Sequence, residues 1–286
     1  MSAGSPLVTA AQLAQALAAE PRPVVIDVSF DLADPAAGER EYRSAHIPGA
    51  FYLHLERDLS GPKTAAGRPF RGRHPLPDID EFAATVGHCG IVPSSRVVIV
   101  DRQGGMMAAR AWWLLRWLGH RDVAVLDGAM AAWRAAGGEL ESGDQPPHDA
   151  APYPHQGAAM PTIDAAGLLE VLGRRPLVDA RAPERFRGEV EPLDARAGHI
   201  PGARNRFFKD NLDSDGRFKD AARLRADFEP MLGGRAPAEL VHQCGSGVTA
   251  CHNLLAMEVA GMHGSSLYPG SWSEWSADPT RPVATG

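Results

Sequence analysis

The chain has 286 residues, of which 44% are hydrophobic and 22% charged; this composition is typical of globular proteins and excludes a disordered, collagen-like or coiled-coil chain. Its 29 basic and 35 acidic residues give a formal charge of −6 with no basic block, so nucleic acid is not an expected partner. At roughly 150 residues per domain, the length predicts two domains.

The sequence also indicates where the protein works. No apolar stretch reaches the roughly 18 residues of a membrane-spanning helix, and the start, Met-Ser-Ala-Gly-Ser-Pro, lacks the charged region and apolar run of a secretory signal. We therefore expect a cytoplasmic protein without a membrane partner. The three cysteines, Cys89, Cys244 and Cys251, are too few for a disulfide scaffold and are expected to be free thiols.

The first half opens with a short amphipathic helix, for which Thr9 is the N-cap candidate. Apolar runs at 24–28 and 97–100 predict strands, and the pentapeptide His-Ile-Pro-Gly-Ala occupies 46–50. The second run ends at Asp101, which is followed by Arg-Gln-Gly-Gly.

Residues 137–161 contain Gly-Gly and Pro-Pro pairs and almost no apolar periodicity, which is typical of a surface linker. We therefore predict a first domain at 1–138, a linker at 139–159 and a second domain at 160–286.

The second half repeats the order of the first. A helix begins at Thr162 or Asp164, an apolar run follows at 177–180, the pentapeptide returns at 199–203, and a further run occupies 240–243. Each half alternates helices with short apolar strands. This pattern predicts an α/β fold in which a mostly parallel sheet is flanked by helices on both faces.

The segment Cys-Gly-Ser-Gly-Val-Thr-Ala at 244–250 is the best candidate for chemistry. It follows a predicted parallel strand, where open α/β sheets bind ligands, and Gly245 and Gly247 allow the backbone to aim several N–H groups at one point. The N-terminus of the following helix adds partial positive charge, and such a site favours a thiolate. Cys244 is therefore the candidate nucleophile; the alternative is a buried thiol that ends a strand.

The two halves differ at this position. The first half has Asp101 where the second has Cys244, and a carboxylate cannot carry sulfur as a thiolate does. We expect the first half to be chemically silent and to wall the cleft above Cys244. Cys244, Cys251 and His252 do not have the spacing of a zinc motif, so no metal or other cofactor is expected.

Other prominent residues have structural explanations. Cys251, in the first turns of a helix, and Cys89, before a turn, are expected to pack in the interior. His46 and His199 occur in both halves although only one half has the thiol, which favours a hydrogen-bonding role in a turn. Core packing is also expected for the six tryptophans, Trp112, Trp113, Trp117, Trp133, Trp272 and Trp275.

With the two pentapeptides, the loop at 244–250 and Gly-Ser-Trp-Ser-Glu-Trp at 270–275, the chain resembles the tandem-domain sulfurtransferases of the rhodanese superfamily over essentially its whole length. The resemblance implies two rhodanese-like domains, of which the second is catalytic. It also implies that Cys244 accepts a sulfane sulfur as a persulfide and passes it to a thiol or to cyanide.

The backbone N–H groups of the loop are the expected ligands of that persulfide; they belong to Gly245, Gly247, Val248 and Thr249. Ser246 is expected to relay or donate a proton to the leaving group, and the alternative is that it is present only for its small size.

The loop also bears on the sulfur donor. Family members that prefer thiosulfate usually carry Cys-Arg-Lys-Gly, and those that prefer 3-mercaptopyruvate carry Cys-Gly-Ser-Gly, as here. The resemblance therefore implies 3-mercaptopyruvate as the donor, with a small thiol, reduced thioredoxin or cyanide as the acceptor.

Arg185 matches a substrate-binding arginine of the mercaptopyruvate enzymes, where a guanidinium grips carboxylate and keto oxygens; a solvated surface arginine is the alternative. Many of these enzymes have a second arginine after Glu-Pro, but here Leu193 follows Glu191 and Pro192. Arg196, three residues on, is a candidate substitute.

His74 matches a His-x-Leu-Pro segment that borders the cleft in the family; the alternative is a histidine in a surface loop. The family's third polar partner, an aspartate of the first domain, aligns with Glu56, and Asp58 lies two residues beyond. Neither acid is preferred.

Three other functions remain to be compared with this one. A thiosulfate-preferring sulfurtransferase is the nearest, and a non-catalytic persulfide relay or binding module is a second. A cysteine phosphatase is the third, but it needs an arginine six residues after its cysteine, where this chain has Ala250.

Overall fold

The computed structural model of the chain describes residues 5–64 and 69–286. Contacts between residues divide the described part into two units, each built from separate stretches of sequence. The N-terminal unit is drawn from Met1–Ser60, Pro77–Met160 and Ser214–Phe218, and the C-terminal unit from Gly61–Leu76, Pro161–Asp213 and Lys219–Gly286. Gly61–Leu76 thus belongs to the C-terminal unit, although it lies in the first half of the sequence.

The N-terminal unit contains a five-stranded sheet in which neighbouring strands pair in parallel. Its strands are β1 (Leu7–Val8), β2 (Val24–Asp27), β3 (Phe51–Tyr52), β4 (Val97–Val100) and β5 (Val123–Leu126), in the spatial order β1-β5-β4-β2-β3. The flanking helices are α1 (Ala10–Leu17), α2 (Ala37–Ser44), α3 (Ile79–His88), α4 (Ala108–Trp117) and α5 (Ala129–Ala135).

The C-terminal unit contains a four-stranded parallel sheet made of β6 (Leu177–Asp179), β7 (Ala203–Asn205), β8 (Val241–Gln243) and β9 (Ser266–Leu267), in the order β7-β6-β8-β9. Its helices are α6 (Ala165–Val171), α7 (Pro183–Arg187), α8 (Ala221–Leu232), α9 (Thr249–Val259) and α10 (Ser271–Ala277), with 3₁₀ turns at Phe208–Asn211 and Pro237–Glu239.

The two sheets share one topology. The order β7-β6-β8-β9 matches β3-β2-β4-β5, and a single parallel bridge between Thr162 and Leu267 stands where β1 pairs with β5. The repeat and the α/β fold predicted from the sequence are therefore confirmed. We attribute the common order to the same succession of apolar strand and amphipathic helix in both halves.

Local sequence explains where the helices begin. Thr9 and Gln12 form a reciprocal capping box at the start of α1. At the start of α6 the cap is Asp164, whose carboxylate accepts a hydrogen bond from the N–H of Gly167, so Asp164 and not Thr162 is the N-cap. All four residues of β4 are buried, as expected for a parallel strand covered on both faces.

Each unit has its own core. Leu13, Val98 and Trp133 belong to the N-terminal core, and Tyr268 and Trp272 to the C-terminal core. The predicted packing role of the tryptophans is confirmed, because all six are at most 7% exposed.

The pentapeptide histidines hold turns, as predicted. His46 Nδ1 lies 2.8 Å from the carbonyl oxygen of Tyr42, and His199 Nδ1 lies 2.8 Å from that of Phe186. Each imidazole stacks on the ring of its partner residue, with centroids 4.1 and 3.9 Å apart. The two copies of the motif therefore make the same contact at equivalent places in the two units.

The segment predicted as a linker runs along the N-terminal unit. It is mostly exposed, but Glu141 bridges to His46 and the ring of Tyr153 is buried. The N–H of Ala159 donates to the carbonyl of Trp117. These contacts anchor the segment to one unit. Of the helices in the described part of the chain, none combines the length and apolar character needed to cross a membrane.

Candidate active site

The loop that contains Cys244 connects β8 to α9 in the C-terminal unit. Strand β8 lies between β6 and β9, so Cys244 emerges at the carboxyl end of an interior strand, as predicted. The loop turns at Gly247, whose φ of +76° is a conformation that favours glycine. α9 begins two residues later, at Thr249.

The loop holds the thiol against a backbone amide. The N–H of Gly247 donates to Sγ of Cys244 at 3.1 Å, so one of the amides predicted to face the sulfur does so. The residue itself is 1% exposed. The roles predicted for the amides of Gly245, Val248 and Thr249 remain predictions.

The start of α10 holds the same loop through three hydrogen bonds. The hydroxyl of Ser271 accepts a hydrogen bond from the N–H of Cys244 at 3.1 Å. The carbonyl of Cys244 accepts from Trp272 N–H, and that of Gly245 accepts from Ser273 N–H, both at 2.9 Å. These hydrogen bonds fix the backbone of the first two loop residues, Cys244 and Gly245, which limits the motion of the thiol.

The other two cysteines lie in the interior. Cys251 lies in the first turn of α9, and its thiol donates a hydrogen bond to the carbonyl of Gly247 at 3.3 Å. This contact stabilises the turn of the loop. Burial raises the pKa of Cys89 to about 12, which keeps that thiol protonated and unreactive near neutral pH. Both positions agree with the predicted packing roles.

Ser246 has a histidine partner. Its Oγ lies 2.8 Å from Nδ1 of His74, and the two residues are 7% and 2% exposed. The alternative of a surface-loop histidine is therefore wrong. A buried hydroxyl that shares a proton with an imidazole can donate that proton and recover it, the arrangement that general acid catalysis needs.

Arg185 lies on α7 beside the loop and is held by two acids. Its Nη2 donates to Glu191 at 2.6 Å and to Asp194 at 3.2 Å, and its side chain is 18% exposed. The alternative of a solvated arginine is therefore wrong. Burial raises the pKa of Asp194, and its ion pair with Arg73 opposes that shift.

Arg73 also lies beside the loop, and the sequence did not single it out. It pairs with Asp194, and its N–H donates to Ser273 Oγ at 3.1 Å. Its position directly before His74 was the available signal, but an arginine-rich chain gives a single arginine little weight.

Arg196, a candidate from the sequence, does not join this group. Arg196 was a possible second substrate arginine, but that interpretation is wrong, because its guanidinium is occupied by main-chain carbonyls. They belong to Trp275, Ser276, Asp278 and Arg281, at 2.6–3.3 Å. Glu56 and Asp58 lie in the N-terminal unit, where Asp58 accepts a hydrogen bond from His54 N–H at 2.6 Å. A role for either acid remains a prediction.

The equivalent loop of the N-terminal unit gathers several backbone amides around a carboxylate. Asp101 accepts hydrogen bonds at 2.8–3.1 Å from four backbone N–H groups, those of Gln103, Gly105, Met107 and Ala108. Burial raises the pKa of Asp101, and these hydrogen bonds oppose the shift. The loop design therefore binds an acidic side chain at its first residue, but here that residue carries no nucleophilic sulfur.

Substituting Gly247 with alanine is expected to destabilise the protein by about 2–4 kcal/mol, because strain at positive φ adds to a steric clash. A Cβ at this position would lie 2.4 Å from the carbonyl oxygen of Pro269. Gly234→Ala is the matched control, since Gly234 has a φ of +82° and no atom within 4 Å of its Cβ position. Urea unfolding measures both, and equal losses would contradict the clash.

The described residues, 5–64 and 69–286, contain no group of three or more His, Cys, Asp or Glu side chains arranged to hold a metal ion.

Comparison with known proteins agrees with the repeat. The rhodanese-like domain family matches residues 9–136 and 164–278. The chain is 52% identical to the "Probable 3-mercaptopyruvate sulfurtransferase" of Pseudomonas aeruginosa over 98% of both chains. It is 34% identical to the thiosulfate sulfurtransferase of Cricetulus griseus over 92% of this chain and 88% of that protein. The solved structure of 3-mercaptopyruvate sulfurtransferase from Leishmania major superposes with a TM-score of 0.83 at 30% identity, covering 95% of this chain and 74% of that one.

Proposed function

Since the chain belongs to the rhodanese family, we propose that it is a sulfurtransferase that moves sulfane sulfur from 3-mercaptopyruvate, through a persulfide on Cys244, to a thiol or cyanide. The observation that carries the proposal is the hydrogen bond between Ser246, in the loop of Cys244, and His74. A donor that leaves as an enolate needs a proton, and this pair can supply it. The high identity to a relative named for 3-mercaptopyruvate supports the same donor.

In the first half-reaction, the Cys244 thiolate attacks the thiol sulfur of 3-mercaptopyruvate. A sulfur–sulfur bond forms as the carbon–sulfur bond breaks, and the electron pair of that bond leaves on the carbon fragment as the enolate of pyruvate. The products are a persulfide on Cys244 and, after protonation, pyruvate. The amide of Gly247, 3.1 Å from Sγ, stabilises the anionic sulfur before attack.

Ser246 protonates the enolate, and His74 restores the serine proton through their 2.8 Å hydrogen bond. Both residues are buried, so competing proton exchange with bulk water is slow at this point. The pair is needed in the forward step only when the leaving group requires a proton.

In the second half-reaction, an acceptor thiolate or cyanide attacks the outer sulfur. The sulfur–sulfur bond breaks, its electron pair returns to Cys244 as thiolate, and the acceptor leaves with the sulfur as a new persulfide or as thiocyanate. A protein acceptor with two thiols, such as reduced thioredoxin, would release sulfide as its second thiol displaces the persulfide. Because the donor product leaves before the acceptor binds, ping-pong kinetics are expected.

Thiosulfate is the second candidate donor, favoured by the two arginines beside the loop and by relatives that carry its name. Its sulfite leaving group departs as a stable anion and makes no use of the Ser246–His74 pair. We therefore place it after 3-mercaptopyruvate. The cytoplasm remains the proposed compartment, and a first domain at 1–138, a linker at 139–159 and a second domain at 160–286 remain the proposed boundaries in the sequence.

The donor is tested by measuring kcat/KM for 3-mercaptopyruvate and for thiosulfate at the same pH with cyanide as acceptor. We expect 3-mercaptopyruvate to be preferred by at least about 10-fold, the ratio that one additional charge-assisted contact supplies. Pyruvate should form in equal amount to thiocyanate. A preference for thiosulfate would reject the donor, and stoichiometric persulfide loading without turnover would favour a relay module.

A further inference from the structure

We propose that Arg73 is a second carboxylate-binding residue of this site and that, with Arg185, it holds the carboxylate of the sulfur donor beside Cys244. The inference rests on the proposed function for the identity of the donor. It does not depend on that function for the existence of a two-arginine anion site.

The two guanidinium groups converge on one face of Gly245, the residue after the nucleophile. A Cβ at Gly245 would lie 2.9 Å from Nη2 of Arg73 and 3.5 Å from Nη1 of Arg185. These two arginines come from segments more than a hundred residues apart, and both belong to the C-terminal unit. Because Gly245 has no side chain, both guanidinium groups can approach the loop this closely.

Both arginines keep unused donors. Nε of Arg185 is buried and has no hydrogen-bond partner among the described residues, while Nη2 makes both of its ion pairs. Arg73 makes its ion pair through Nη1, which leaves Nη2, the atom nearest Gly245, without an acceptor in the described part of the chain. A buried N–H without an acceptor, such as Nε of Arg185, is costly unless a ligand completes it, while the Arg73 side chain is 21% exposed and can exchange water for a ligand. A carboxylate has the two oxygens that such donors bind.

Asp194 is the positioning residue of the pair. One carboxylate oxygen pairs with Arg73 and the other with Arg185, and the side chain is only 4% exposed. Its own N–H donates to Glu191 at 3.2 Å, so the bridging carboxylate is itself fixed. The guanidinium groups are thus held in place before a ligand arrives, which reduces the entropy lost on binding.

Two cations beside Gly245 have a consequence for donor choice. A thiol with a carboxylate can place its sulfur at Cys244 while its charge rests between Arg73 and Arg185. A neutral thiol gains nothing from either cation. The loop itself has no cationic residue, so the cations beside Gly245 come from other segments of the chain.

Arg73→Met tests the role, with Arg73→Lys as the conservative variant and Arg187→Met as the matched control. Arg187 lies on α7 near Arg185, but it is exposed and pairs with Glu189. The control therefore removes the same charge from the same unit. Two readouts are measured: KM and kcat for 3-mercaptopyruvate, and the rates at which iodoacetate and iodoacetamide alkylate Cys244, mapped by peptide mass spectrometry.

We expect Arg73→Met to raise KM for 3-mercaptopyruvate by about 10- to 100-fold, with a smaller effect on kcat, because a charge-assisted contact is lost. The ratio of the iodoacetate to the iodoacetamide rate should fall about 10-fold, because only iodoacetate carries a carboxylate. Arg73→Lys should recover part of both effects, and Arg187→Met should change neither.

Other outcomes separate the inference from the proposed function. If Arg73→Met lowers both alkylation rates equally, or if Arg187→Met matches it, Arg73 is structural and the inference is wrong. If the alkylation ratio falls but 3-mercaptopyruvate is no substrate, the anion site stands and the proposed donor is wrong. If 3-mercaptopyruvate is used and neither its KM nor the ratio changes, the donor stands and the inference is wrong.

Discussion

Cys244→Ser is expected to abolish sulfur transfer from every donor, with a loss of more than about 10⁴-fold in kcat. A serine hydroxyl is scarcely ionised near neutral pH and cannot carry a sulfane sulfur as a persulfide. The change also replaces the sulfur that accepts from the Gly247 N–H at 3.1 Å by a neutral hydroxyl oxygen. The assay is formation of pyruvate or thiocyanate under saturating donor.

Intact-mass measurement after incubation with donor identifies the sulfur carrier directly. The wild-type protein should gain one sulfur atom, Cys244→Ser none, and Cys251→Ser the same as the wild type. Cys251 donates to the carbonyl of Gly247, so its serine variant retains that contact and serves as the matched control. Loading that is lost in Cys251→Ser and kept in Cys244→Ser would overturn the assignment of the nucleophile.

Ser246→Ala has the second large effect, and it should depend on the donor. With 3-mercaptopyruvate we expect kcat to fall by about 10²–10⁴-fold, the usual contribution of a general acid, because the enolate no longer receives a proton. With thiosulfate the rate of persulfide formation should change little, because sulfite leaves without one. Single-turnover loading with each donor measures the difference.

His74→Ala should reproduce the same donor dependence, because His74 is the group that supplies the serine with its proton. The double variant should be no slower than the worse single variant, since two residues that act as a unit give non-additive losses. Equal losses with both donors would show that Ser246 and His74 only support the packing of the loop, and the proposed acid role would be wrong.

The duplication and the candidate nucleophile could be predicted because both depend on short stretches of sequence. Alternation of apolar strands with capped helices is a local pattern, and it recurs in both halves, so one sheet topology follows for both units. The contrast between Asp101 and Cys244 at equivalent strand ends is also local. This contrast by itself indicates Cys244 as the candidate for chemistry.

The partners of the nucleophile were less predictable. His74 was a candidate from its motif, but only the folded chain showed its contact with Ser246, 172 residues away in sequence. Arg196 was a candidate substitute for a missing arginine because it lies three residues after Leu193, the position where many family members carry that arginine. Its guanidinium instead binds main-chain carbonyls near the end of the chain, a use that no sequence pattern signals.

Local residue order thus accounted for the repeated α/β plan, the free thiols and the glycine-flanked Cys244, because strand, cap and turn preferences act over a few neighbouring residues. Tertiary packing decided that the segment with Arg73 and His74 joins the C-terminal unit, and that Asp194 bridges two arginines beside the loop. These contacts join residues far apart in sequence. They depend on which charged side chains come close enough to pair once the sheets have formed. They also depend on the free energy needed to remove those charges from water.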